Sequence, residues 1–308
     1  MMVGPPMSIE IPASRYLDLG GPVHHVVWDG PDERTFVLVH GLGGSVLSWA
    51  SVAPRLAERA RVVAVDLVGF GRTPRDGRSA RITEQTELLA GFVDAVAGDR
   101  SVVLCGNSMG GAISMLLAAR APQRVEGLVL SNSVFPWVWG AYPAPIVMVG
   151  FGMYQLPRIG EWMSRQRVNG LKPERAVRIG LGIIAANVSS IDPELITAHV
   201  EQLARQRDDV DAGPAFLEAA RSLMALGRRP RTARRILDSV RAPVLVIHGQ
   251  RDRLVPHRFA EAATARRAGW ELVSLGGVGH VPQMEAPERW LDAVATWLDA
   301  RRDTRAAP

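Results

Sequence analysis

Gly106-Asn107-Ser108-Met109-Gly110 decides the fold. It follows the apolar run Ser101-Val102-Val103-Leu104-Cys105 and leads into a helix-like run from Met109 to Arg120. A G-x-S-x-G between a strand and a helix reads as a nucleophile elbow. So tight a turn strains the serine backbone, and the small residues two before and two after keep strand and helix from clashing. The serine hydroxyl then stands at the top of a sheet, where a base can reach it.

Working outward, short apolar runs alternate with amphipathic ones. Toward the N-terminus, Arg15 to Leu19 and Val23 to Trp28 flank the turn pair Gly20-Gly21 and read as a hairpin. Thr35 to His40 reads as a buried strand, Ser51 to Ala60 as a helix, Arg61 to Asp66 as a strand and Ile82 to Ala97 as a helix. Beyond the elbow, Val125 to Ser131 is a further strand. From about Ser133 to Val240 no strand is expected, and the segment is first Pro-rich and aromatic, then helical. Alternation resumes with Pro243 to His248 (strand), His257 to Ala268 (helix), Glu271 to Leu275 (strand) and Ala286 to Arg301 (helix). Near-continuous Val/Ile/Leu strands between helices argue for an α/β fold with a parallel sheet covered on both faces. The expected division is a core of residues 1–132 and 241–308, with residues 133–240 inserted as a helical cap.

That insertion is where substrate choice is expected. Trp137, Trp139, Tyr142, Phe151 and Tyr154 lead its apolar set, joined by Met148, Met153, Trp162 and Met163. They read as the lining of an apolar pocket above the serine, as the core of a lid, or as both. The stretch Val134 to Leu156 reads equally as a surface that touches lipid.

A serine needs a positioned base to attack at neutral pH. Behind an elbow of this kind the expected chain order is Ser, acid, His. Asp252, in His248-Gly-Gln-Arg-Asp252, lies just past an expected strand, where an open α/β sheet gathers its site residues. His280, in Gly276-Gly-Val-Gly-His280, lies past the last expected strand in a glycine-rich loop. Ser108, Asp252 and His280 are therefore the expected catalytic set. His40-Gly-Leu-Gly-Gly44 follows another strand, and its glycines leave backbone N–H groups free to face a developing oxyanion. Leu42 and Met109 are the expected donors, with His40 orienting the loop.

Composition bounds the rest. The chain has 308 residues, 47% of them hydrophobic, so it can bury a sizeable core. Its formal charge of +5 is carried by arginine, since Lys172 is the only lysine. The cluster Arg228, Arg229, Arg231, Arg234 and Arg235 has no interleaved aromatics, so it reads as a solvated helix start and not as a nucleic-acid site. Cys105 has no partner for a disulfide. The N-terminus lacks the pattern of a signal peptide, and a soluble cytoplasmic protein is expected. No metal-ligand spacing such as H-E-x-x-H is present, and no cofactor is expected.

With these segments in place the chain resembles the α/β-hydrolase superfamily. The motifs are His40-Gly-Leu-Gly-Gly, Asp66-Leu-Val-Gly-Phe-Gly71, Gly106-Asn-Ser-Met-Gly-Gly111, Gly249-Gln-Arg-Asp252 and Gly279-His280. The resemblance implies an eight-stranded sheet with an antiparallel start, a cap over the site, and a structural role for Asp66 in the turn after the fourth strand. Ser108 stands where dehalogenases and epoxide hydrolases of this superfamily carry aspartate. The elbow is also similar to that of hydrolases that cleave carbon–carbon bonds in ring-opened aromatic products. Those enzymes usually have tryptophan after the histidine, where this chain has Val281. Perhydrolases share the same triad. The leading expectation is a serine esterase acting on a small apolar ester.

Overall fold

The computed structural model describes residues 9–31, 33–135, 141–265 and 267–306, with side chains through Arg301. Eight strands form one sheet: β1 (Arg15–Asp18), β2 (Pro22–Trp28), β3 (Thr35–Val39), β4 (Arg61–Val65), β5 (Val102–Asn107), β6 (Val125–Ser131), β7 (Val244–Gly249) and β8 (Trp270–Leu275). Their order is β1-β2-β4-β3-β5-β6-β7-β8. β1 and β2 pair antiparallel, as do β2 and β4, and every later pair is parallel. The expected α/β architecture with an antiparallel start is the observed one.

Helices clothe both faces. α1 (Ala53–Ala57), α2 (Ile82–Ala97), α3 (Met109–Arg120), α10 (His257–Thr264), α11 (Pro282–Glu285) and α12 (Pro287–Ala306) alternate with the strands. β2 to β7 are buried along most of their length, as a sheet covered on two sides requires, whereas the edge strands β1 and β8 are partly open. Alternate residues of each strand feed opposite cores. Val37 and Leu104 face α2 and α3, whereas Phe36 and Cys105 face α1 and α12, where Trp49 and Trp290 meet edge to face. Cys105 is fully buried, and loss of water around it pushes its thiol well above the ordinary range.

Between β6 and β7 run six helices: α4 (Pro145–Gln155), α5 (Ile159–Asn169), α6 (Pro173–Ile184), α7 (Pro193–Gln206), α8 (Ala212–Gly227) and α9 (Pro230–Ser239). The described part of this insertion contains no strand. α8 is docked on the core by polar contacts. Glu218 accepts from Arg75 Nη2 (2.7 Å), Ser79 Oγ (2.9 Å) and the Ala80 amide (3.1 Å), and Ser222 Oγ accepts from the Ile82 amide (3.0 Å). α4 buries little: Val147 is its only buried residue, and Ile146, Met148 and Val149 are exposed. Among the described residues no helix is long and apolar enough to cross a membrane.

The helix expected over Ser51 to Ala60 is broken in two. A 3-10 turn, Val46–Trp49, precedes a short α1. Ser45 caps the Leu47 amide and Asp66 Oδ1 accepts from the Val46 amide, so the helical path starts before Ser51. The helix expected over Ala286 to Arg301 is likewise preceded by α11, because Pro282 and Pro287 each open a helix. The arginine cluster lies exposed at the start of α9, as its solvated reading requires.

Candidate active site

Ser108 sits between β5 and α3 with φ 53° and ψ −114°, a backbone region that a non-glycine residue rarely adopts. The flanking glycines make that turn possible. A β-carbon on Gly106 would strike the Gly110 carbonyl and the Gly111 amide; one on Gly110 would strike the Val39 and His40 carbonyls. The Ser108 amide donates to the Ser131 carbonyl at the end of β6 (3.1 Å), which fixes the elbow to the neighbouring strand.

Asp252 and His280 meet here although they leave different strands. Asp252 follows β7 and His280 follows β8, and His280 Nδ1 donates to Asp252 Oδ2 at 2.7 Å. Asp252 Oδ1 is engaged separately, by the amides of Leu254 (2.8 Å) and Val255 (3.0 Å). Burial alone would raise the Asp252 pKa. The facing His280 imidazole and the hydrogen bonds from His248 and His280 outweigh it and hold the carboxyl below the ordinary range. Asp252 is thus ionised at neutral pH, and the ionised acceptor favours the His280 tautomer that carries a proton on Nδ1. The Ser108 hydroxyl has no hydrogen-bond partner among the described residues. Such bonds are often long in unliganded enzymes and tighten with substrate.

Two asparagines that the sequence reading passed over bind this set together. Asn132, just past β6 with φ 44°, donates through Nδ2 to Asp252 Oδ2 (2.6 Å) and the Gly279 carbonyl (3.0 Å), and accepts from the Gly249 amide (3.1 Å). Asn107, next to Ser108, donates to the carbonyls of Ser131 (3.0 Å) and His280 (3.1 Å). The serine, acid and histidine loops are therefore cross-linked by side-chain amides. The one available signal was position: each asparagine ends a strand at the carboxyl edge of the sheet.

The Leu42 loop is preset. His40 Nδ1 donates to the Gly41 carbonyl at 2.7 Å, and the Gly44 amide donates to the same oxygen at 3.0 Å. His40 Nε2 accepts from the Leu67 amide at 3.1 Å, so its ring must be neutral with the proton on Nδ1. Burial lowers the His40 pKa and supports that state. The Gly41 carbonyl and the Leu42 N–H belong to one planar trans peptide, so pinning the oxygen aims the N–H the opposite way. That N–H has no acceptor among the described residues. Met109 opens α3, and its N–H has no intrahelical acceptor. Asp66 is structural in its contacts: it accepts from His24 Nδ1 (2.7 Å) and from the amides of Val46 (2.7 Å) and Arg72 (2.8 Å).

The expected pocket residues separate. Phe151 and Tyr154 pack against the core under α8, with Tyr154 5.4 Å from the Phe216 ring. Tyr142 is 56% exposed. Trp162 and Met148 are likewise exposed. Trp137 and Trp139 lie outside the described residues. Among the described residues no cluster of histidine, cysteine or acids is placed to hold a metal.

Comparison with known proteins agrees with this architecture. The family model described as "Alpha/beta hydrolase family" matches residues 36–293. The 2-hydroxy-6-oxo-2,4-heptadienoate hydrolase of Pseudomonas putida is 29% identical, over 92% of this chain and 95% of that protein. The pimeloyl-[acyl-carrier protein] methyl ester esterase of Aromatoleum aromaticum is 28% identical, over 82% of this chain and 93% of that protein. Among solved structures, the haloalkane dehalogenase DbeA of Bradyrhizobium elkani superposes with a TM-score of 0.80 at 23% identity, over 96% of this chain and 100% of that one, a likeness of fold. The chain belongs to the α/β-hydrolase family and is a hydrolytic enzyme.

Proposed function

We propose that this hydrolase cleaves a carboxylic ester by way of an acyl-enzyme. The observation that carries the reading is the Asp252–His280 couple at 2.7 Å, buried on loops cross-linked to the strained Ser108 turn. Ser108 Oγ attacks the ester carbonyl carbon while His280 Nε2 takes the hydroxyl proton. The N–H groups of Leu42 and Met109 receive the oxyanion. When the tetrahedral intermediate collapses, the ester C–O bond breaks and His280 returns the proton to the departing alcohol. A water then loses a proton to His280 and attacks the acyl carbon; the acid is released and Ser108 recovers its proton. The helices between β6 and β7 act as the cap, with Phe151 and Tyr154 on its apolar underside. The esterase among the relatives supports this reading.

A second reading, hydrolysis of a carbon–carbon bond in a ring-opened dienoate, is favoured by the heptadienoate hydrolase relative. One experiment separates the two: turnover of p-nitrophenyl esters of increasing acyl length by the native protein and by Ser108→Ala. Serine-dependent turnover with an optimum length is the expected result. A folded protein that turns over no ester, but does cleave a ring-opened dienoate, would replace the first reading with the second.

A further inference from the structure

Ser14, His24 and Asp66 form a second serine–histidine–acid chain, at the other end of the strand order from Asp252 and His280. Ser14 Oγ lies 2.9 Å from His24 Nε2, and His24 Nδ1 lies 2.7 Å from Asp66 Oδ2. Strand register assembles it. β1 pairs with β2 so that Tyr16, just past Ser14, faces His24; β2 pairs with β4 so that Val65, just before Asp66, faces His25. The Asp66 amide then donates to the His24 carbonyl at 3.0 Å. Gly71 has φ 59°, and a β-carbon there would fall on the Asp66 carboxylate, so a glycine leaves the acid its room.

The proton positions follow from the donors. The amides of Val46 and Arg72 donate to Asp66 Oδ1 and Oδ2 respectively, so the carboxylate is the acceptor and His24 Nδ1 the donor. His24 Nε2 is then bare, and the Ser14 hydroxyl donates to it. Arg72 Nη1 donates to the same hydroxyl oxygen at 2.7 Å. Ser14 Oγ therefore leans its proton on a base and accepts from a cation, and both contacts favour negative charge on oxygen. His24 and Asp66 are 2% and 0% exposed, whereas Ser14 and Arg72 are open to solvent. The Tyr16 ring lies beside the imidazole, 5.3 Å between centroids. Base and acid are thus buried, and the hydroxyl they address is within reach of a reagent in solution.

We infer that Ser14 is a second nucleophile, acylated by small activated carboxylic esters with His24 as general base. Ser14 Oγ attacks the carbonyl carbon while its proton passes to His24 Nε2. The Arg72 guanidinium, already at that oxygen, stands beside the developing oxyanion. Collapse breaks the bond from the carbonyl carbon to the leaving oxygen, and His24 returns the proton to the departing alcohol. The acyl group is left as an ester on Ser14. An open surface offers little binding energy to spend on the barrier, so the ester must bring a good leaving group. The inference does not rest on Ser108, and its failure would leave the ester reading untouched.

The test is acetylation of Ser108→Ala by p-nitrophenyl acetate, with each adduct located and timed by peptide mass spectrometry. Ser189 and Ser190 serve as internal controls, being exposed serines whose hydroxyls donate to Asn187 and not to an imidazole. Ser14 is expected to gain an acetyl group about 10²-fold faster than either, the smaller end of what a positioned base contributes. Adding Ser14→Ala removes that adduct. No acetyl group on Ser14, or one that forms no faster than on Ser189 and Ser190, would overturn the inference. The base is tested by adding His24→Gln to Ser108→Ala. A folded variant is expected to lose the advantage of Ser14 over the controls, and an unchanged rate would overturn the role of His24. If that variant does not fold, the Ser14 rate of Ser108→Ala in D2O decides: a slower rate supports proton transfer to His24, and an equal rate overturns it.

Discussion

Asp252 holds four donors within 3.0 Å on its two oxygens, and each oxygen has its own task. Oδ1 closes the turn through Leu254 and Val255, while Oδ2 faces His280 and Asn132. Asp252→Asn keeps an oxygen for the turn and removes the charge that fixes the His280 tautomer. Turnover is expected to fall by about 10⁴-fold with the circular dichroism spectrum unchanged. Near-native turnover in that variant would place the acid elsewhere. Ser108, Asp252 and His280 were legible because each carries a local sign: a glycine-framed turn, or a loop just past an apolar run. Asn107 and Asn132 carry only their place at a strand end, which says nothing of their partners. Their partners lie far along the chain, 173 residues away for Asn107 and His280 and 120 for Asn132 and Asp252. No local pattern encodes such pairings; they exist only once the strands are side by side.

At the scale of elements, the short helix α11 does more than precede α12. Its last residue, Glu285, accepts from the amides of Gly279 (3.0 Å) and Val281 (3.4 Å), on either side of His280. It also accepts from Ala186 (2.8 Å) and Asn187 (3.4 Å), where the chain leaves α6. The His280 amide in turn donates to the Ile184 carbonyl at 2.8 Å. One carboxylate therefore ties the histidine loop to the inserted helices. Burial raises the Glu285 pKa and outweighs the four amides that favour its charge. Glu285→Gln turns one acceptor oxygen into a donor facing other donors. We expect a loss of about 1–3 kcal/mol in stability, the cost of an unsatisfied buried group, measured by urea unfolding. A stability equal to that of the native protein would show that the clamp is dispensable. Periodicity alone located α2, α3 and β6 to the residue, because their apolar pattern and their flanking turns agree. It did not locate the 3-10 turn at Val46, whose start is set by Asp66, twenty residues on.

For the molecule as a whole, the histidines set the acid side of stability. Burial lowers the pKa of His25, His40 and His257, and lowers that of His199 to about 4. Each is neutral when folded, and the unfolded chain binds their protons first as pH falls below the ordinary value of 6.5. Their contribution is therefore complete above pH 6.5 and is lost as pH falls toward 4. Asp252, also depressed, adds a loss of the same sign at still lower pH. The urea midpoint is expected to drop steadily between pH 7 and pH 4.5, and a midpoint that is flat or rising over that interval would contradict the buried neutral histidines. The sheet was legible as a whole because its central strands are mostly short Val/Ile/Leu runs; the path of the insertion was not, since six helices of mixed burial leave many packings open to the same pattern.

Cys105 lies in the middle of that sheet, the one thiol of 308 residues. It has no route to solvent while β5 keeps its neighbours, and its burial suppresses the reactive thiolate. A disulfide reagent in native buffer can then reach only molecules whose sheet has come apart. The chain carries an internal counter of its own rare openings: the labelling rate reports how often the whole fold is breached, with no probe to engineer and no denaturant to extrapolate from.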